Sequence, residues 1–181
     1  MIKLRRFAHY LVLLSSIFLL ACSAELDDYH QSTPKFDLFG YFNGHVKAWG
    51  MVQDFTDKQT RRFDVDIVGH VEGNQLRLVE DFQFHDGEKS QRIWVINRLK
   101  NARYKGEADD IVGVAVGEEV GNALRWQYDF TLQLDDSEVT VSLDDWLYRQ
   151  DNNHVFNLTK IKKFGLEVGS ITLFFQKQAE E

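Results

Sequence analysis

The feature that most constrains this chain is a two-residue alternation of apolar and polar side chains that begins near Phe36 and runs almost to the C-terminus. It is cleanest from Leu124 to Leu134, where Leu124, Trp126, Tyr128, Phe130, Leu132 and Leu134 alternate with Arg125, Gln127, Asp129, Thr131 and Gln133. Successive side chains of a β-strand point to opposite faces, so this run makes one oily and one wet face on a strand. Arg62 to Val71 sets Phe63, Val65, Ile67, Gly69 and Val71 against Arg62, Asp64, Asp66, Val68 and His70. Gln75 to His85 places Leu76, Leu78, Phe82 and Phe84 on one side, and Leu166 to Gln176 repeats the rhythm near the end. Turn-forming residues separate the runs at Thr56-Asp57-Lys58, Glu72-Gly73-Asn74, Asp86-Gly87-Glu88, Asp135-Asp136-Ser137 and Asp151-Asn152-Asn153. Connections this short join antiparallel neighbours as hairpins. The pattern predicts eight to ten strands, with short helical pieces at Phe36–Asn43 and Thr159–Phe164.

Long antiparallel strands with one apolar face leave unpaired edges unless the sheet closes on itself. The expected fold is therefore all-β: a single antiparallel up-and-down β-barrel over residues 36–177, followed by a short charged tail at 178–181. A barrel of about eight strands has an interior that side chains fill or that holds one small ligand. A barrel of this length opened by a short Phe-rich segment resembles the lipocalin or calycin plan. A flat sandwich is the alternative. An outer-membrane pore is disfavoured, because the polar faces carry charge where a lipid-facing band would need none.

The amino terminus follows different rules. Met1 to Arg6 is short and basic, and Tyr10 to Ala21 is apolar apart from Ser15 and Ser16. Twelve residues at about 1.5 Å each span roughly 18 Å, too short for a bilayer core of about 30 Å. A basic segment followed by a short apolar one reads as a signal peptide over residues 1–21. Leu19-Leu20-Ala21-Cys22 resembles the lipobox of bacterial lipoproteins. That resemblance implies diacylglycerol on the Cys22 thiol, cleavage before it and an acylated amine. Two or three chains on one residue hold a protein to a membrane far more firmly than one. Ser23 stands where an Asp would resemble an inner-membrane retention signal, so the expected location is the outer membrane, lipid-anchored and facing the periplasm. Residues 22–35 are expected to be the lipidated cysteine and a polar tether.

Charge and cysteine content narrow the function. Removing Lys3, Arg5 and Arg6 with the signal leaves 18 bases against 28 acids, a net charge of −10. Such a surface repels phosphate backbones, which excludes nucleic acid as a partner. Cys22 is the only cysteine, so no internal disulfide framework exists. His30, His45, His70, His85 and His154 show no metal-ligand spacing, and neither a metal nor a cofactor is expected.

The segments Phe42-Asn43-Gly44, Ala48-Trp49-Gly50, Arg61-Arg62-Phe63, Phe84-His85-Asp86-Gly87, Gly121-Asn122-Ala123-Leu124-Arg125-Trp126, Asp144-Asp145-Trp146 and Lys163-Phe164-Gly165 resemble, in their order, an uncharacterised family of proteobacterial lipoproteins. The family is a domain of unknown function regarded as lipocalin-like, and it supplies no catalytic residues to carry over.

Within the expected barrel, Glu80 interrupts the apolar series of its strand, and Asp145 shares a face with Val139, Val141, Leu143 and Leu147. A buried carboxylate needs a cation, hydrogen-bond donors or a proton. Arg92 and Arg98 share a face with Trp94 and Ile96, and Arg92 is the natural partner for Glu80 across the Asp86-Gly87 hairpin. Trp49, Trp94, Trp126 and Trp146 are expected to line the same cavity. These residues support a pocket for a fatty acyl, phospholipid or other apolar ligand, with Arg92 contacting a carboxylate or phosphate head group. They also suit, and more readily, a satisfied polar cluster that pins strand register and closes the barrel. Gly113, Gly117 and Gly121 are expected at bulges and corners of the barrel.

Three functions remain in order. The first is a lipid-anchored binding module for an apolar ligand. The second is an accessory envelope protein with a filled barrel and an apolar rim that meets an unidentified protein partner. The third is a lipid-modifying isomerase or cyclase using Glu80 or Asp145, for which no reaction motif is present.

Overall fold

The computed structural model describes residues 24–134 and 137–179. Cys22 and the expected signal peptide lie outside the described residues. A short helix, α1 (Leu38–Phe42), is followed by ten strands: β1 (Gly44–Asp54), β2 (Gln59–Glu72), β3 (Gln75–Phe84), β4 (Lys89–Arg98), β5 (Arg103–Glu107), β6 (Ile111–Val120), β7 (Ala123–Leu134), β8 (Ser137–Arg149), β9 (His154–Lys163) and β10 (Leu166–Lys177). Each strand pairs antiparallel with its sequence neighbours, and β10 returns to β1 to close the barrel. That closing seam holds register from Val46 opposite Lys177 to Asp54 opposite Gly169. The strands of residues 44–177 thus pair at both edges within the barrel, so the domain needs no outside strand to complete its sheet.

The barrel interior is the alternation made solid. Val46, Ala48, Val65, Ile67, Leu76, Leu78, Trp94, Ile96, Leu124, Trp126, Leu147 and Val155 are buried and belong to one core. Two parts of the sequence reading change. Thr159–Phe164 is no helical piece: all but its last residue continue β9, and Phe164 and Gly165 turn into β10 with positive φ of 52° and 80°. Thr159 and Ile161 face inward among apolar neighbours, and that environment outweighs local propensity. Nor do residues 24–35 form a free tether. Leu26–Tyr29 makes a 3₁₀ turn against β6 and β7, where the Tyr29 ring lies 5.5 Å from Tyr148 and 6.0 Å from Trp146. The Phe36 N–H then donates to the Gly121 carbonyl at 2.7 Å.

One end of the barrel is closed by α1. A five-residue helix has no stability of its own. It persists because Leu38, Phe39, Tyr41 and Phe42 are all buried, each contributing about 1.5–3 kcal/mol. Its ends are satisfied in turn: Asp37 Oδ1 accepts from the Gly40 N–H at 3.0 Å, Glu119 Oε1 accepts from the Leu38 N–H at 2.6 Å, and Lys177 Nζ donates to the Gly40 and Asn43 carbonyls. Gly69 in β2 lets the plug seat, since a Cβ there would collide with the Phe42 carbonyl oxygen.

Of the three glycines expected at bulges, Gly113 sits at a register break in β6 with φ of 74°, and Gly121 makes the β6–β7 turn with φ of 56°. Gly117 differs. The Trp126 ring occupies the space of its missing side chain, so a Cβ there would strike the ring.

Candidate functional site

Above the α1 plug the barrel encloses a cavity of about 440 Å³. That lies within the roughly 300–1,000 Å³ of small-molecule sites. The filled interior required by the accessory-protein reading is therefore absent. The cavity runs toward the opposite end, where Val52, Thr60, Arg61, Phe84 and Leu132 line it beside the β1–β2, β3–β4 and β7–β8 connections. Its walls are mainly aromatic and aliphatic. Trp94 meets Trp126 edge-on at 5.7 Å and Tyr128 at 5.3 Å, while Phe63 contacts Phe82 and Phe84 at 5.8 and 5.4 Å. Gly106 and Gly117 provide the bed for the Trp126 ring, which keeps that large side chain against the wall.

A belt of polar groups crosses this apolar space. Glu80 on β3 and Arg92 on β4 are register partners, as the hairpin required. The guanidinium, however, is gripped by Asp110 in the β5–β6 connection: Nε lies 3.0 and 2.8 Å from its two carboxylate oxygens, and Nη2 lies 2.7 Å from Oδ2. Glu80 has Trp94 beside it and feels Arg92 as a nearby charge. Nothing in the sequence marks Asp110 as the partner, because a loop acid has no periodicity to betray it. Arg92 also sits 5.0 Å from the centre of the Phe130 ring.

Electrostatics follow from this enclosure. Burial pushes Glu80 up to about 7, helped by repulsion from Asp110 and Asp145 and opposed by Arg92. Its residual accessible surface faces the cavity. Burial also pushes Asp145 up to about 7, against the influence of the neighbouring Thr159 hydroxyl and the attraction of Arg92. The Tyr128 phenol is driven well above its ordinary value by burial, with Asp145 reinforcing the effect. These mutual influences place Glu80, Arg92, Tyr128 and Asp145 in one electrostatic neighbourhood, with β3–β4 on one side and β7–β8 on the other. Asn157 and Thr159 complete the belt from β9. Asn157 Nδ2 donates to Thr159 Oγ1 at 3.2 Å, and both residues line the cavity. One oxygen on each of Asp145 and Asn157, Oδ1 in both cases, has no hydrogen-bond partner among the described residues. Tyr128 belongs to the inward series of its strand and is legible there. Asn157 and Thr159 escape sequence reasoning, and the signal that could find them is the face they share with Val155 and Ile161.

Of the expected site residues, Glu80, Arg92, Trp94, Trp126 and Asp145 line the cavity, and Trp49 and Trp146 do not. The pleat explains both corrections. In β1 the inward positions are Val46, Ala48 and Val52, so Trp49 points out and stacks on Phe174 at 6.2 Å. Asp145 faces inward, so its neighbour Trp146 faces outward, where it stacks with Tyr148 and is flanked by Tyr29 and Arg125. Beside it Asp144, also on the outer wall, accepts from Arg125 at 2.7 and 2.9 Å and from Lys162 at 3.0 Å. Burial acts to raise Asp144, but these hydrogen bonds and charges hold it below the ordinary carboxylate range. Arg98, sharing the Arg92 phase in sequence, is exposed at the closed end, 4.2 Å above the Phe39 ring.

Comparison with known proteins places this geometry. The S-type phycobiliprotein lyase CPES from Guillardia theta has a similar structure, with a TM-score of 0.54 and 8% sequence identity over 78% of this chain and 92% of that one. At that identity the likeness concerns the fold, which is lipocalin-like. No curated protein matches the sequence. A family model does match, across residues 16–177, and by that match the chain belongs to the DUF3833 family of proteins of unknown function.

Proposed function

We propose that this protein is a lipid-anchored module of the bacterial envelope that holds an apolar ligand in its barrel. The observation that carries the reading is the cavity of about 440 Å³, walled by aromatic rings and crossed by a few polar groups. Small-molecule sites share that composition, with polar groups fixing orientation. The barrel's likeness to that of a phycobiliprotein lyase supports a ligand-binding reading. The lipobox-like Leu19-Leu20-Ala21-Cys22 supports acylation at Cys22 and, with Ser23, an outer-membrane position facing the periplasm. Expression of residues 24–181 in the bacterial periplasm, followed by organic extraction and mass spectrometry, tests the ligand reading. A stoichiometric apolar compound is expected. A barrel that yields none and leaves an apolar fluorescent probe dark refutes it. Cys22→Ser tests the anchor: the variant is expected in the soluble periplasmic fraction, and unchanged membrane attachment refutes acylation there.

A second reading concerns a protein partner. Phe55, Phe164 and Leu166 project at the cavity end of the barrel, 79%, 93% and 72% exposed. Apolar side chains so placed suit a contact surface around the mouth. Photocrosslinking from position 164 in cells is expected to trap one specific protein under this reading, and a diffuse pattern removes it.

A further inference from the structure

The head-group chemistry of the ligand is legible in the polar belt, and this inference rests on the apolar-ligand reading above. The natural expectation is a fatty acid whose carboxylate meets Arg92. The structure argues against it. Arg92 is already committed to Asp110 through both Nε and Nη2. Around Arg92 stand Asp110, Glu80 and Asp145, so a further carboxylate there would add a fourth acid beside one guanidinium.

The unmet hydrogen bonds point the same way. Asp145 is 7% exposed and Asn157 is 5% exposed, both line the cavity, and Oδ1 of each lacks a donor among the described residues. Thr159 Oγ1 accepts from Asn157 Nδ2, and among the described residues no donor, Thr159 included, reaches Oδ1 of either residue. A buried acceptor without a donor is costly, and a ligand group that supplies N–H or O–H recovers that loss. A carboxylate has no proton to give.

We propose that the cavity takes a linear apolar molecule whose polar end donates hydrogen bonds and carries no negative charge, a long-chain amine or alcohol, with Asp145 and Asn157 on β8 and β9 receiving that end.

The test is competition for residues 24–181 loaded with the neutral fluorophore N-phenyl-1-naphthylamine, using dodecylamine, dodecanol and dodecanoate below their micelle concentrations. At pH 7.5 the amine and the alcohol are expected to displace the probe at concentrations at least tenfold below the acid. The amine stays cationic from pH 6 to pH 8. Its affinity is therefore expected to rise over that range as Glu80 and Asp145 ionise, in the presence of Arg92, Asp110, Tyr128 and Asp144. Asp145→Asn is expected to reduce the amine's advantage over the acid severalfold. Amine ahead of alcohol identifies a cationic end, and alcohol ahead of amine a neutral one; both outcomes support the proposal. Dodecanoate binding as tightly as the other two overturns the proposal while leaving the ligand cavity standing. Failure of probe and competitors alike overturns the cavity reading as well. If Asp145→Asn does not fold, the pH series on the unaltered protein decides: amine affinity that is flat or falls with pH overturns the assignment.

Discussion

Replacing Asp145 by Asn isolates the cost of holding a carboxyl inside the barrel. The folded protein raises this group from 3.8 to about 7, with burial as the main cause. A carboxyl whose folded value exceeds its unfolded value binds protons more tightly in the native state. Stability is then unaffected below the unfolded value, falls as pH rises between the two, and stays at the lower level above the folded value. At about 1.4 kcal/mol per pKa unit, a gap of about three units gives a loss of about 4 kcal/mol between pH 4 and pH 7. The amide of the variant cannot ionise, so this slope disappears. Any fixed cost of the amide is the same at every pH, and Glu80, still present, largely cancels in the comparison. The measurement is urea unfolding of residues 24–181 and of Asp145→Asn, followed by tryptophan fluorescence at several pH values from 4 to 8. The variant is expected to gain on the wild type steadily up to pH 7, by about 4 kcal/mol in all, and then run parallel. Folded domains are stable by only about 5–15 kcal/mol, so the effect is large enough to resolve. Profiles that run parallel from pH 4 to pH 8 would show that Asp145 stays ionised and hydrated, and would refute the burial argument.

Three further outcomes follow from the geometry. Gly69→Ala drives a methyl into the Phe42 carbonyl and is expected to unseat α1, costing about 3 kcal/mol and speeding amide exchange over residues 36–43; an unchanged midpoint in urea counts against the plug. Asp144→Ala strips the common partner from Arg125 and Lys162, each about a third exposed, so solvent limits the loss to about 1–2 kcal/mol. Because Asp144 is held low, its contribution is present above the ordinary carboxylate range and fades as pH falls through the folded value, so the variant should differ least from wild type in strong acid. Gly117→Val pushes the Trp126 ring off its bed and is expected to weaken binding of an apolar probe at least tenfold, while Trp49→Ala leaves probe binding unchanged; the reverse result would put the site on the outer wall.

Much of the barrel is legible in the sequence because burial on one face of a strand imposes period two, a property of the local chain. The inward faces of β2, β3, β7 and β8 are identifiable residue by residue, and with them Glu80, Trp126 and Asp145. Trp49 and Trp146 mislead because residue type, which suggests a cavity wall, competes with parity. Adjacent residues of a regular strand cannot both face the lumen, so Asp145 inside places Trp146 outside. The sequence from residue 24 to residue 35 is polar enough for a tether, yet it lies on the barrel because Tyr29 finds Trp146 and Tyr148, residues far away in the chain.

The linear order of residues thus determined the strands, their turns, the antiparallel hairpins and the inward place of Glu80 and Asp145, since each depends on near neighbours. Only the folded barrel decided that Asp110 rather than Glu80 captures Arg92, that glycines make room for Trp126, and that Asp145 and Asn157 are left with acceptors unmet. Those facts depend on distances between side chains on different strands and loops, and such distances exist only once the sheet has closed and set its register.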